Sequence, residues 1–194
     1  MLDKLVTETK NIVVTTVEGA DDILDALRGA VKNQVVNTLK DIKEIGTTGL
    51  DTVASVVTGA VEGTADIAVT IAEAAKESVI AAVVGVSEVG GDVFVAARKA
   101  ARGAVAGAAE IGEDLGSTAV AAVEGVIKAA GEMGVDTAES VKGAVIGAVR
   151  AADNVGTEAG STVRKALLSA VSLPRDIVER AIKGSSDKDL HKQS

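Results

Sequence analysis

The chain has 194 residues, 47% of them hydrophobic but only 1% aromatic (one Phe, no Trp, no Tyr), with 21 Gly, one Pro and no Cys. The absence of Cys excludes disulfides, thiolate metal sites and Cys nucleophiles, and a single His, His191, cannot supply a His-based triad or a His-rich metal site. A net charge of −8 argues against nucleic acid as the main partner, because neutralising phosphates takes a basic surface.

Hydropathy favours folding over disorder: the mean hydropathy is +0.31 and 25% of residues are charged. The longest charge-free runs, 52–61 and 78–87, are ten residues each, half of the roughly 20 apolar residues that a spanning helix needs. The first residues, MLDKLVTETK, carry Asp3 and lack an apolar core, which does not fit a signal peptide. A cytoplasmic location is the default expectation.

From there the chain repeats. An acidic residue followed by an aliphatic one recurs every 22 residues: Asp22-Ile23, Glu44-Ile45, Asp66-Ile67, Glu88-Val89, Glu110-Ile111 and Glu132-Met133, then Asn154-Val155 and Asp176-Ile177. A second aliphatic column runs Val35, Val57, Val79, Ala101, Val123, Val145, Leu167, and a third runs Leu39, Val61, Val83, Val105, Ile127, Val149, Val171. Twenty-two is twice eleven, and eleven residues make three turns at about 3.67 residues per turn, close to the α-helix. On a helical projection the aliphatic columns share one arc of roughly 130°. The acidic column lies nearly opposite. Basic residues (Lys32, Lys76, Arg98, Lys142, Arg164) gather near one edge of the arc, and Thr or Ser (Thr52, Thr118, Ser140, Thr162) near the other. No strand-like alternation is sustained, so the fold is read as all-α, with residues 1–183 forming about eight amphipathic 22-residue repeats.

Each repeat also holds a candidate break. Gly follows the aliphatic residue at Gly46, Gly90, Gly112, Gly134 and Gly156, with Ala68 in that slot once, and Thr48, Thr70, Asp92, Asp114 or Asp136 stands two positions later. Gly suits a helix C′ position and Asp or Thr the next N-cap. Thr48 with Asp51, Thr70 with Glu73 and Asp136 with Glu139 resemble capping boxes. The repeats are read as long amphipathic helices, with helical hairpins or a solenoid as the alternative. The apolar phase runs through each Gly as long, kinked helices require, whereas the Gly–cap pairs suit helical hairpins or a solenoid with Gly turns. Pro174 marks a kink or the start of a last helix, Arg175–Lys183, and the polar residues 184–194 read as a flexible tail.

The repeat resembles those of the synucleins, perilipins and exchangeable apolipoproteins. The segments TVEGA (16–20), SVVTGAVEG (55–63) and AVEGV (122–126) are similar to synuclein lipid-binding repeats. The resemblance implies binding to a lipid surface. This chain departs from synucleins in being acidic, with about one basic residue per eleven, and from apolipoproteins in placing Gly where they commonly place Pro.

Other motifs give less. No phosphate-binding loop motif occurs. The small-xxx-small segments Gly103–Gly107 and Gly143–Gly147 suit close backbone packing between neighbouring helices. The acidic column reads as a solvated face, Phe94 as a packing anchor at the arc's edge, and His191 as a tail residue. The expected function is therefore non-enzymatic, without cofactor or metal. The aliphatic columns (Ile23 to Val155, Val35 to Leu167, Leu39 to Val171) form an interaction face that coats a lipid or hydrophobic particle surface and self-associates. The alternative is a self-assembling scaffold, as a bundle, ring or filament, with no lipid role. Expected partners are other copies of the chain and a lipid or membrane surface, not nucleic acid.

Overall fold

The structure, a computed structural model, describes residues 2–18, 22–40 and 49–190, with side chains described as far as residue 184. Among these residues there is no strand; the elements are α1 (Leu2–Val17), α2 (Ile23–Lys40), α3 (Asp51–Gly63), α4 (Ile71–Glu88), α5 (Val93–Glu110), α6 (Leu115–Met133), α7 (Thr137–Val155), α8 (Thr157–Ser169) and α9 (Arg175–Leu190). The all-α expectation holds. Of the two arrangements, the chain adopts short helices, each 13 to 19 residues, and the long-helix arrangement is not formed.

The Gly–cap pairs make the breaks. Gly90, Gly112 and Gly134 stand at φ of 76°, 73° and 68°, the left-handed region that costs Gly little and other residues about 1–2 kcal/mol. The amide of the residue after each of these Gly then bonds back to the last turn: Gly91 N–H to the Val86 carbonyl at 2.9 Å, Glu113 to Ala108 at 2.9 Å, Val135 to Ala130 at 3.1 Å. This satisfies carbonyls that a helix C-terminus leaves open. One residue further on, the side chains of Asp92, Asp114 and Asp136 accept from the amides of Val95, Ser117 and Glu139 and start the next helix. Substituting such a cap by Ala typically costs about 1 kcal/mol. Thr70 and Glu73 form the full reciprocal box, and that bonding holds the Glu73 carboxyl below its ordinary value of 4.5. The amide and hydroxyl of Ser117 likewise hold Asp114 below 3.8.

Where the module is incomplete, the geometry changes. Ala68 lacks the freedom of Gly, and α3 stops early at Gly63, leaving a longer connection from Thr64 to Thr70. At the α7–α8 junction no Asp or Thr cap follows, and Gly156 alone separates the two helices, with no side-chain cap. Thr48 and Gly46 lie outside the described residues. Near the C-terminal end, the Pro174 carbonyl accepts from Ile177 and Val178 at 3.0 and 3.1 Å, so α9 begins at Arg175 as the sequence suggests, and its backbone continues past Lys183 to Leu190.

Among the described residues, helices pack only against those one or two places away in the chain, with the Arg28 side chain of α2 also reaching Glu132 of α6. The odd-numbered helices therefore form one layer and the even-numbered ones the other, a solenoid-like double row. Within a row, neighbours run parallel. Gly59 and Gly63 sit over the backbone of Val6 and Lys10, Gly103 and Gly107 over Ala54 and Thr58, Gly143 and Gly147 over Phe94 and Arg98; in the even row Gly85 and Gly125 sit over Lys32 and Lys76. A Cβ would stand 2.9 Å from the Thr58 carbonyl at Gly107, 2.7 Å from that of Phe94 at Gly143, and would overlap that of Arg98 at Gly147. The Thr58 hydroxyl also donates to the Gly103 carbonyl at 3.0 Å across this seam. The small-xxx-small segments thus do what they suggest, and closer backbones take the place of absent aromatics. The core is chiefly Val and Ala; Leu27, Leu39, Ile80 and Leu167 are its largest fully buried side chains.

Candidate functional site: buried columns and charged outer faces

The aliphatic columns turn inward. Val35, Leu39, Val57, Val61, Val79, Val83, Ala101, Val105, Val123, Val145, Val149 and Leu167 are buried. Ile23, Ile67, Val89, Ile111, Ile127, Met133 and Ile177 are half-buried against the same core. Ile45 lies outside the described residues. Val155 and Val171, at 55% and 103% exposed, are the two described members left in solvent. A 130° apolar arc is what one helix needs to face neighbours in its own row and the opposite layer together. The surface that the sequence offers as an interaction face is thus the chain's own interior.

The described members of the opposite, acidic column (Asp22, Asp66, Glu88, Glu110, Glu132, Asn154 and Asp176) are exposed, as a solvated face should be. Across the even row, charges alternate between helices: Arg28 meets Glu77 at 3.5 Å and Glu132 at 3.3 Å, Lys32 meets Glu88 at 2.9 Å, Lys76 meets Glu124 at 3.0 Å and Lys128 meets Glu77 at 3.8 Å. Exposed pairs such as Lys32–Glu88 contribute about 0–1 kcal/mol each. In the odd row Lys99 pairs with Asp51, while burial pushes the Glu62 carboxyl above 4.5, with Lys10 pulling it down and Glu110 pushing it further up.

One part of the odd row breaks this pattern. Between α5 and α7 lies an open groove of about 360 Å³ lined by Arg98, Lys99, Arg102, Gly147, Arg150 and Asp153. Phe94 flanks it: its ring lies against Gly143, and the Arg98 guanidinium stands 5.9 Å from its centroid. The anchor role given to Phe94 has this form. The basic column read from the sequence includes Arg98 but neither Arg102 nor Arg150.

Among the described residues, no cluster of three or more His, Asp or Glu is placed to hold a metal ion, and no helix is long and apolar enough to cross a membrane. His191 lies outside the described residues. No protein-family model and no curated protein sequence matches this chain.

Proposed function

We propose that the chain is a non-enzymatic structural scaffold that completes its own core and self-associates, rather than a coat for a lipid surface. The observation that carries this reading is the fate of the columns: every described member except Val155 and Val171 lies in or against the core. A lipid-surface helix needs its apolar face free. Here that face could meet lipid only after the two layers separate, exposing Val, Ile and Leu side chains whose burial contributes about 1.5–3 kcal/mol each. The two exposed members, Val155 and Val171, flank α8 at one end of the stack, and Val155 borders a shallow, mostly apolar groove with Leu115 and Ala159. That end is the contact surface for a second copy.

Circular dichroism and light scattering on the full chain, with and without vesicles, test this. The expected result is full helicity in plain buffer, no change on adding vesicles, and a particle mass that is a multiple of 19.3 kDa. In Val155→Asp/Val171→Asp the mass should fall to that of one chain with helicity kept. Helix gained only on vesicles would establish the lipid reading instead, and a monomeric wild type would refute self-association.

A further inference from the structure

We infer that the groove between α5 and α7 is a binding site for a compact anion carrying two or more phosphate groups. Between α3 and α5, α4 and α6, and α5 and α7, residues 48 or 49 apart face each other: Gly103 sits over Ala54, Gly125 over Lys76 and Gly147 over Arg98, and at this separation Asp51 meets Lys99 and Lys76 meets Glu124. Arg102 and Arg150 stand 48 apart and line one groove, so the place of a salt bridge is occupied by two cations. Arg98, one turn before Arg102, adds a third.

None of the three arginines pairs with a carboxylate among the described residues. The two acids near the groove are taken: Asp51 pairs with Lys99, and both oxygens of Asp153 accept from Arg164 at 2.6 and 2.7 Å. A like-charge pair of carboxylates can be relieved by taking up a proton, but a guanidinium stays charged throughout the range in which proteins fold. Arg102 and Arg150 are exposed and Arg98 half-buried, so three guanidiniums without a carboxylate partner form a water-accessible positive patch, in a chain of net charge −8, that an anion can occupy. Guanidinium forks match phosphate oxygens in geometry and bond to them bidentately. Phe94 beneath Arg98 holds one fork in place.

Shape and charge narrow the ligand. About 360 Å³ exceeds the needs of a single orthophosphate. The chain's net charge of −8 disfavours a long polyanion such as a nucleic acid or an anionic bilayer, which leaves a small ligand. Free condensed phosphate and the phosphate chain of a nucleotide share this chemistry.

The test is calorimetric titration of the full chain with sodium tripolyphosphate, ATP, orthophosphate and citrate at about 0.15 M salt, near physiological ionic strength. Saturable one-to-one binding of tripolyphosphate, at least tenfold tighter than orthophosphate or citrate, is expected. An equal affinity for ATP assigns a nucleotide phosphate chain, and a tenfold weaker one assigns free condensed phosphate. Arg102→Ala/Arg150→Ala should weaken binding at least tenfold, whereas Lys128→Ala/Lys165→Ala, which removes as much charge elsewhere, should leave it unchanged. Arg102→Glu restores an acid–base pair with Arg150, so it should abolish binding while keeping or raising the melting temperature. Absence of one-to-one binding, equal losses in the two double variants, or equal affinity for citrate would overturn the assignment.

Discussion

Gly147→Ala should destabilise the protein by about 1–3 kcal/mol, the usual cost of overpacking, although the same change in an open helix interior gains roughly 0.5–1 kcal/mol. The added methyl would overlap the Arg98 carbonyl, and backbone cannot swing aside as the end of a flexible side chain can. Gly103→Ala should behave alike, because its methyl would meet the Ala54 carbonyl in the same way. Gly29 and Gly131 have nothing within 4 Å of an added Cβ, so Gly29→Ala and Gly131→Ala should be neutral or stabilising. Urea unfolding midpoints of the four variants decide the matter. Stabilisation by Gly147→Ala would mean that α5 and α7 do not approach as described.

Val79→Asp should unfold much or all of the stack. Val79 is fully buried in α4, and a carboxyl group there lacks water and partners, at a cost of several kcal/mol. A domain's whole stability is only about 5–15 kcal/mol. Val171→Asp changes a residue of equal size in a neighbouring column of the repeat, yet Val171 is fully exposed, and helicity should survive. Far-UV circular dichroism of the two variants separates a column used for internal packing from one used uniformly along an outer surface. Equal loss in both would contradict the burial pattern.

Most of the helical architecture was legible in the residues. The 22-residue period marked the unit, and Gly90, Gly112 and Gly134 with Asp92, Asp114 and Asp136 marked the turns, because left-handed backbone and N-caps each demand specific side chains. What misled was phase. An apolar face that keeps its helical phase through every Gly is required of one long helix, but a stack of equal units shows the same phase, because every unit must point the same columns at the same core. Periodicity alone therefore could not separate the two, and it cast the interior as an outer face.

The groove was hidden for a related reason. At steps of 22 residues, the place of Arg102 is taken by Glu124 and Ile146 in the following repeats, so no column of cations marks it. From α3 onward, facing residues of row neighbours are instead 48 or 49 apart, as Asp51 with Lys99 and Gly147 over Arg98 show. That offset comes from how parallel helices slide when a Gly of one settles on a carbonyl of the other. Only packing reveals it.

The two-layer stack is tested most directly by a distance. The chain has no Cys, so Asn33→Cys and Lys128→Cys, on exposed positions of α2 and α6, accept a pair of spin labels without background. The stack puts these helices two steps apart in one row, each step about 8–10 Å, so pulsed electron resonance in plain buffer should give a narrow distribution centred at about 20–30 Å, label linkers included. A continuous helix would separate the same positions by about 140 Å at roughly 1.5 Å per residue. A narrow peak at the short distance is the expected result; a broad distribution or no signal below about 60 Å, beyond six such helix steps, would contradict the stack.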